Sequence, residues 1–244
     1  PRIRAENEEN CIQCQHCLAV CPAAAISISG RDPAASIALA SGTVPTLDAM
    51  SNLVRGRRSV RRYRDENVDP GLLRQLLAAL GNAPTGCNRM GLTFSVIDDK
   101  DAMQRFRLKA LNGLAEKTKA GLLQDPSGFI SEAAPAWFDQ GVDIIFRGAP
   151  HLLVVSAALE SACPQEDVNL ALAYFELMAQ SAGLGTVWCG LAKMVLEQLP
   201  ELREVVGVAP GNYYYAMLFG LPAVRYARTV QRDGGARVKR IQVP

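Results

Sequence analysis

From residue 69 onward the chain alternates between two hydrophobic rhythms. Asp69-Pro70 leads into Leu72, Leu73, Leu76, Leu77 and Leu80 on one stripe with Gly81 behind them, which predicts a capped amphipathic helix ending at Leu80. LTFSVID, Leu92 to Asp98, predicts a strand, and residues 101–123 and 135–146 predict two helices. HLLVVSAAL, His151 to Leu159, is a continuous apolar run of the kind buried on both faces of a sheet. Residues 165–182 have helical character but are apolar nearly all round, through Leu170, Leu172, Tyr174, Phe175, Leu177 and Met178. Such a helix is expected at the centre of the fold or at a subunit interface. GTVWCG and YYYAMLFG supply two further strands around a helical segment from Ala192 to Val205. Few strands in mixed order with helices predict an α+β layer fold, a sheet with helices packed on it.

Upstream the rhythm weakens. AISIS, Ala25 to Ser29, alternates like a short strand, and Gly30 to about Leu53 is small, polar and turn-rich, which predicts an extended linker wrapping over a neighbour. The chain then divides into a module at residues 1–30, a linker at 31–52 with its boundary near 45–52, and a main domain at 53–244. A length of 244 residues accommodates one large domain plus a small module. Hydrophobic residues make up 49% and charged residues 20%, a composition that supports a sizeable core and excludes general disorder. A net charge of +2 excludes whole-surface electrostatic binding of nucleic acid, so any anion is held locally. No apolar run reaches the roughly 20 residues that span a bilayer, and the first residues lack a signal-peptide core. A cytoplasmic protein that binds no membrane is expected.

The module carries its own chemistry. CIQCQHCLAVCP, Cys11 to Pro22, spaces four cysteines as C-x2-C-x2-C-x3-C-P. Thiolates are soft ligands, and this close spacing lets successive sulfurs converge on one iron-sulfur cluster. Zinc is the competing reading of C-x2-C pairs, but zinc sites usually set two pairs apart by a longer loop. Seven cysteines, an odd number with four clustered, fit metal ligation in a reducing compartment better than a disulfide framework. His16, inside the loop, is expected to face solvent. The segment resembles a bacterial-type 4Fe-4S ferredoxin module, which implies Cys11, Cys14 and Cys17 on one cluster and Cys21 on a second. Modules of this kind generally carry two runs, so a second run is expected upstream of Pro1. Closure of a single local cluster by Cys21, or a ligand from a distant cysteine, are the alternatives.

GRRSVRRYR, Gly56 to Arg64, packs five arginines into nine residues. A solvated basic face or a nucleic-acid patch is also arginine-rich, but no other dense basic run accompanies this one. Planar guanidinium forks with a hydroxyl between them suit a single phosphate. Residues 54–232 resemble the nitroreductase family of FMN-dependent oxidoreductases in four elements taken in order. The R-x-S-x-[RK] element meets Arg57-Arg58-Ser59-Val60-Arg61, and the A-P-[ST]-x-x-N element meets Ala83-Pro84-Thr85-Gly86-Cys87-Asn88. A third element meets Val187-Trp188-Cys189-Gly190, and the last is GLPAVRYAR, Gly220 to Arg228. A ferredoxin module ahead of such a domain is a known arrangement in this family.

The resemblance implies a three-layer α/β/α sandwich and an intertwined homodimer, with each FMN site lined by both chains. It implies Arg57 and Ser59, with Arg225 or Arg228, on the FMN phosphate and ribityl oxygens, and Arg58 in the same cofactor-binding set. Arg61 would lie by the pyrimidine edge of the ring, where a fixed cation stabilises the reduced anion. Pro84, Thr85, Gly86 and Asn88 would form a turn that approaches the ring closely. Val187, Trp188, Cys189 and Gly190 would flank the ring, with Trp188 packed along it. Many family members place Glu where this chain has Cys189, whose main-chain N–H would then face the ring; a free cysteine is commonly a small buried hydrophobe. Cys87 and Cys163 are expected to be structural, and His151 a satisfied core residue. No Ser-His-Asp set, Walker loop or G-x-G-x-x-G after a strand is present, so NAD(P)H would share the pocket above the flavin.

The function so implied is electron transfer from the iron-sulfur module to FMN and on to a small electron-poor acceptor: a nitro compound, quinone or activated alkene. No side-chain general acid is evident, so no catalytic residue is assigned and protons would come from water. Ferredoxin or NAD(P)H could be the donor. The alternatives are an NAD(P)H-dependent nitroreductase with an ancillary cluster, and a flavin redox sensor that turns over no metabolite.

Overall fold

The computed structural model describes residues 9–39, 42–126, 128–232 and 234–243. Residues 1–8 of the N-terminal module lie outside these. Strands β1 (Leu92–Ile97), β2 (His151–Ala158), β3 (Gly185–Trp188) and β4 (Asn212–Gly220) pair antiparallel in the order β1-β2-β4-β3. Successive side chains of a strand point to opposite faces, and here both faces are covered. Leu152 and Val154 of β2 and Ala216 and Leu218 of β4 pack against α4 (Lys100–Lys119), α5 (Ala133–Gln140), α7 (Gly190–Gln198) and α8 (Pro200–Val205). Leu153 and Val155 of β2 and Met217 and Phe219 of β4 pack against α3 (Pro70–Ala79) and α6 (Pro164–Ser181). Two apolar cores on one sheet make an α/β/α sandwich, and they explain why β2 reads as an unbroken apolar run.

Helix α6 takes the central position its composition predicts: Val168, Ala171, Leu172, Phe175 and Ala179 are fully buried. Leu170 and Tyr174 on its other side are exposed. Asp69 caps α3 as its sequence predicts, accepting the Leu72 N–H at 2.8 Å.

Several elements differ from their sequence pattern. Residues 135–146 do not form one helix, because α5 ends at Gly141, whose φ of 69° closes the turn and sends Val142 N–H back to Ala136 O. The following loop winds instead around Asp143, which accepts N–H bonds from Ile145, Phe146 and Gly148. The 192–205 segment breaks into α7 and α8 at Pro200, which offers no N–H to continue a helix. AISIS makes only an isolated bridge, Ile28 to Arg31, rather than a strand. Within the stretch that reads as extended linker lies α2 (Leu47–Gly56), capped by Thr46 Oγ1 accepting from Ala49 N–H.

His151 is a core residue, but not a fully satisfied one, since its buried Nδ1 has no hydrogen-bond partner. It is fully buried, stacks on Phe219 with ring centroids 5.0 Å apart, and its Nε2 accepts the Val68 N–H at 3.0 Å. Burial lowers its pKa below the ordinary histidine value. The unfolded chain protonates near pH 6.5 while the native imidazole resists, so its contribution is complete above about pH 6.5 and declines as the pH falls below it. Urea unfolding at pH 7.5 and 5.5 should show a larger loss of stability for the wild type than for His151→Gln, whose amide oxygen can take the same N–H without titrating.

Candidate functional site

The arginine segment leaves α2 and is laid along the sheet edge. Val60 N–H donates to Thr186 O of β3 at 2.8 Å, and Ser59 forms a parallel bridge with Thr186. Gly185 is required for this approach, since a Cβ there would stand 2.7 Å from Val60. Farther along, Arg64 N–H donates to Leu221 O at 2.9 Å and Ala223 N–H to Arg62 O at 3.0 Å. Tyr63 fastens the segment from within, its hydroxyl donating to Val60 O at 2.7 Å, and burial raises its pKa.

Zipping these two segments together brings Arg58, Arg64, Arg225 and Arg228 around one pocket of about 580 Å³, with Gln180 and Thr229 on its wall. Arg58 Nη1 donates to Arg57 O, whereas its Nη2 is buried without a hydrogen-bond partner. An orphaned guanidinium N–H beside three further arginines is suited to an anion. Ser59 and Arg61 line an adjoining pocket of about 260 Å³ with Arg62 and Tyr226. Arg57 points elsewhere: its Nη1 donates to Glu176 Oε1 of α6 at 3.0 Å.

The Pro84–Asn88 turn stands apart from the arginine pocket and lines a separate cavity of about 950 Å³ with Cys11 and Cys14. Its backbone is unusual, since Cys87, Asn88 and Met90 all have φ near 50°, a region that side chains other than glycine rarely adopt. Three bonds hold it there. Gly86 N–H donates to the buried Asp167 Oδ1 at 2.9 Å, Met90 N–H to Thr85 Oγ1 at 3.0 Å, and Asn88 Nδ2 to Ile12 O at 2.8 Å. Gly86 also has no room for a side chain, because a Cβ would lie 3.0 Å from Ala162 and 3.2 Å from Cys163.

At the end of β3, Val187 is buried in the core and Trp188 is half-buried, tilted against Tyr215 with ring centroids 5.6 Å apart. Cys189 caps α7, which Gly190 opens: its Sγ accepts Ala192 N–H at 3.3 Å and its thiol lies 3.4 Å from Ile145 O. Burial pushes this thiol up to about 11, so it is protonated and unreactive at neutral pH. Its main-chain N–H is spent on Ala216 O at 2.9 Å, and the Trp188 indole N–H donates to Glu176 Oε2 at 3.1 Å.

In the N-terminal module Cys11 and Cys14 are exposed, while Cys17, within the short helix α1 (His16–Ala19), and Cys21, just after it, are half-buried. His16 faces solvent. Gln13 N–H points at Cys11 Sγ (3.4 Å) and Ala25 N–H at Cys21 Sγ (3.3 Å). Among the described residues no group of three or more His, Cys, Asp or Glu side chains is gathered closely enough to hold a metal ion. The four thiols fit a cluster in their chemistry and order, while their sulfurs would have to converge as metal binds.

Sequence patterns did not reveal two acidic residues that bond to candidate site residues, Asp167 to Gly86 and Glu176 to Arg57 and Trp188. Both lie on the buried side of α6. A carboxylate among apolar helix positions is the signal, because a buried charge requires a partner.

An antiparallel sheet between two helical layers, with an arginine-lined pocket at its edge, defines an α+β sandwich protein. Residues 54–221 match the nitroreductase family, and the chain belongs to that family. It is 25% identical over 140 residues to the iodotyrosine deiodinase of Thermotoga neapolitana, a match covering 56% of this chain and 70% of that one. It is 38% identical over 65 residues to an NADH dehydrogenase of Thermus thermophilus, covering 27% of this chain and 31% of that one. The fold is similar to an FMN-bound nitroreductase from Bacteroides fragilis with a TM-score of 0.61 at 19% identity, over 78% of this chain and 98% of that one. Among the described residues no helix is long and apolar enough to cross a membrane.

Proposed function

We propose that the protein is an FMN-dependent oxidoreductase whose flavin phosphate sits among Arg58, Arg64, Arg225 and Arg228. The observation that carries this reading is the convergence of Arg58, Arg64, Arg225 and Arg228 on that pocket, with Arg58 Nη2 left without a hydrogen-bond partner, within a nitroreductase-family frame. When bound, FMN supplies a ring that takes up and gives out one or two electrons. Ser59 and Arg61, from the adjoining pocket, extend the contact toward the ribityl chain and ring. Trp188 and Gly190 close one side. Pro84 and Asn88, at the two ends of the turn that also holds Thr85 and Gly86, line a different cavity from Arg58, Arg64, Arg225 and Arg228, which supports a site assembled from two copies of the chain, each turn serving the other copy's pocket. Exposed Leu47, Met50 and Val54 of α2, beside exposed Leu170 and Tyr174 of α6, offer an apolar surface for such a homodimer.

Cys11, Cys14 and Cys17 would hold a 4Fe-4S cluster, with Cys21 on the same cluster or on a second. The loop they occupy touches the proposed flavin turn directly through Ile12 O and Asn88 Nδ2, which supports delivery of electrons from the module to the flavin side. The acceptor class remains a small electron-poor molecule such as a nitro compound, quinone or activated alkene, and protons come from water. A second reading has NAD(P)H reduce the flavin directly; the similarity to an NADH dehydrogenase favours it. Anaerobic stopped-flow separates the two. Flavin bleaching by reduced ferredoxin with a slow response to NAD(P)H is expected, and rapid bleaching by NAD(P)H alone would overturn delivery through the module.

A further inference from the structure

Arg57 and Trp188 come from different segments, yet both end on one carboxylate. Arg57 Nη1 lies 3.0 Å from Glu176 Oε1, and Trp188 Nε1 donates to Glu176 Oε2 at 3.1 Å. Thr186 Oγ1 adds a third contact to Oε1 at 3.5 Å. The Glu176 side chain is 9% exposed, while Arg57 retains 31%, so the acid is the fixed member and the arginine reaches from it toward solvent. Thr186 also carries the main-chain bond that seats Val60, so the same few residues hold the arginine segment, β3 and α6 together. Leaving Arg57 without its acceptor would loosen the backbone between Gly56 and Arg58, both of which line the arginine pocket.

From this we infer that Glu176 is a positioning residue for the flavin site, acting through Arg57 on the backbone that carries Arg58 and Ser59 into their pockets and through Trp188 at the end of β3. This rests on the FMN reading of the pocket. The carboxylate can accept from all three donors at once, and an amide cannot: in Glu176→Gln the NH2 group meets a donor and one partner is lost.

The test is equilibrium FMN binding, followed by flavin fluorescence, for wild type, Glu176→Gln, Arg57→Ala and the double variant, together with tryptophan emission of flavin-free protein in a Trp137→Phe background. Glu176→Gln should bind FMN about tenfold to a hundredfold more weakly, as expected for loss of charge-assisted bonds. The double variant should be little weaker than Arg57→Ala alone, because both changes remove one route. Trp188 emission should shift without flavin present. Where Glu176→Gln fails to fold by circular dichroism, Glu176→Met combined with Arg57→Leu replaces it and is compared with Arg57→Leu alone, since exchanging both partners of an ion pair for apolar groups leaves no unpaired charge. Wild-type affinity in Glu176→Gln with unshifted emission, or fully additive losses in the double variant, would overturn the inference while the FMN site stands. A wild-type chain that binds no FMN would instead overturn the site and the inference together.

Discussion

Asp143→Ala is expected to destabilise the protein by about 3–5 kcal/mol, the range for stripping one partner from a buried ion pair. Asp143 lies 2.8 Å from Arg107 Nε, and the two side chains are only 6% and 8% exposed. The same carboxylate accepts N–H bonds from Ile145 at 3.2 Å, Phe146 at 2.7 Å and Gly148 at 3.0 Å, so its loss also unravels the turn that follows α5. Arg107 Nη2 donates to Ala149 O at 2.8 Å, and the removal of Asp143 would leave that guanidinium buried with no counter-charge. The pair therefore ties α4 to the loop that leads into β2. Urea titration followed by circular dichroism checks this. A loss below about 1 kcal/mol would put the pair with solvent-exposed bridges, whose contributions are that small. Replacing both partners, Asp143→Leu with Arg107→Met, should cost less than Asp143→Ala because no unpaired charge remains.

The second large effect concerns the ligand. Removing two guanidinium groups with Arg58→Ala and Arg225→Ala should weaken FMN binding by about a hundredfold to ten-thousandfold, if each charge-assisted bond contributes about 1.5–3 kcal/mol. Both residues line the pocket; Arg225 is exposed and Arg58 only half-buried, so the fold should survive the substitutions with little change. Isothermal titration with FMN reads the loss directly. An unchanged affinity would move the phosphate to Ser59, Arg61 and the neighbouring pocket.

The sheet was legible because its strands are local patterns with strong burial: β2 is buried along nearly its whole length and apolar except at His151 and Ser156, and its boundaries and those of β4 follow the runs closely. Helix α2 was not legible. Its apolar positions Leu47, Met50 and Val54 remain exposed, so no core stripe accompanies the Thr46 cap in a stretch rich in small residues. Along the site, the sequence showed which arginines cluster but not which would converge. That depends on the 57–64 segment pairing with 221–223, more than 150 residues away, and on Glu176, 119 residues from Arg57, diverting that arginine into an ion pair. The Asn88 contact with Ile12 was equally hidden, since it joins two segments that lie 76 residues apart. Cys189 became clear only with its surroundings, as a helix cap whose thiol is buried.

The central claim is that the arginine pocket recognises the phosphate of a flavin. Parallel titration of the wild-type chain with FMN and with riboflavin, which lacks the phosphate, tests it most directly. FMN should bind at one per chain and about a hundredfold or more tighter than riboflavin, the difference expected when two or more charge-assisted bonds reach one phosphate. Equal affinities for the two flavins, or no binding of either, would contradict it.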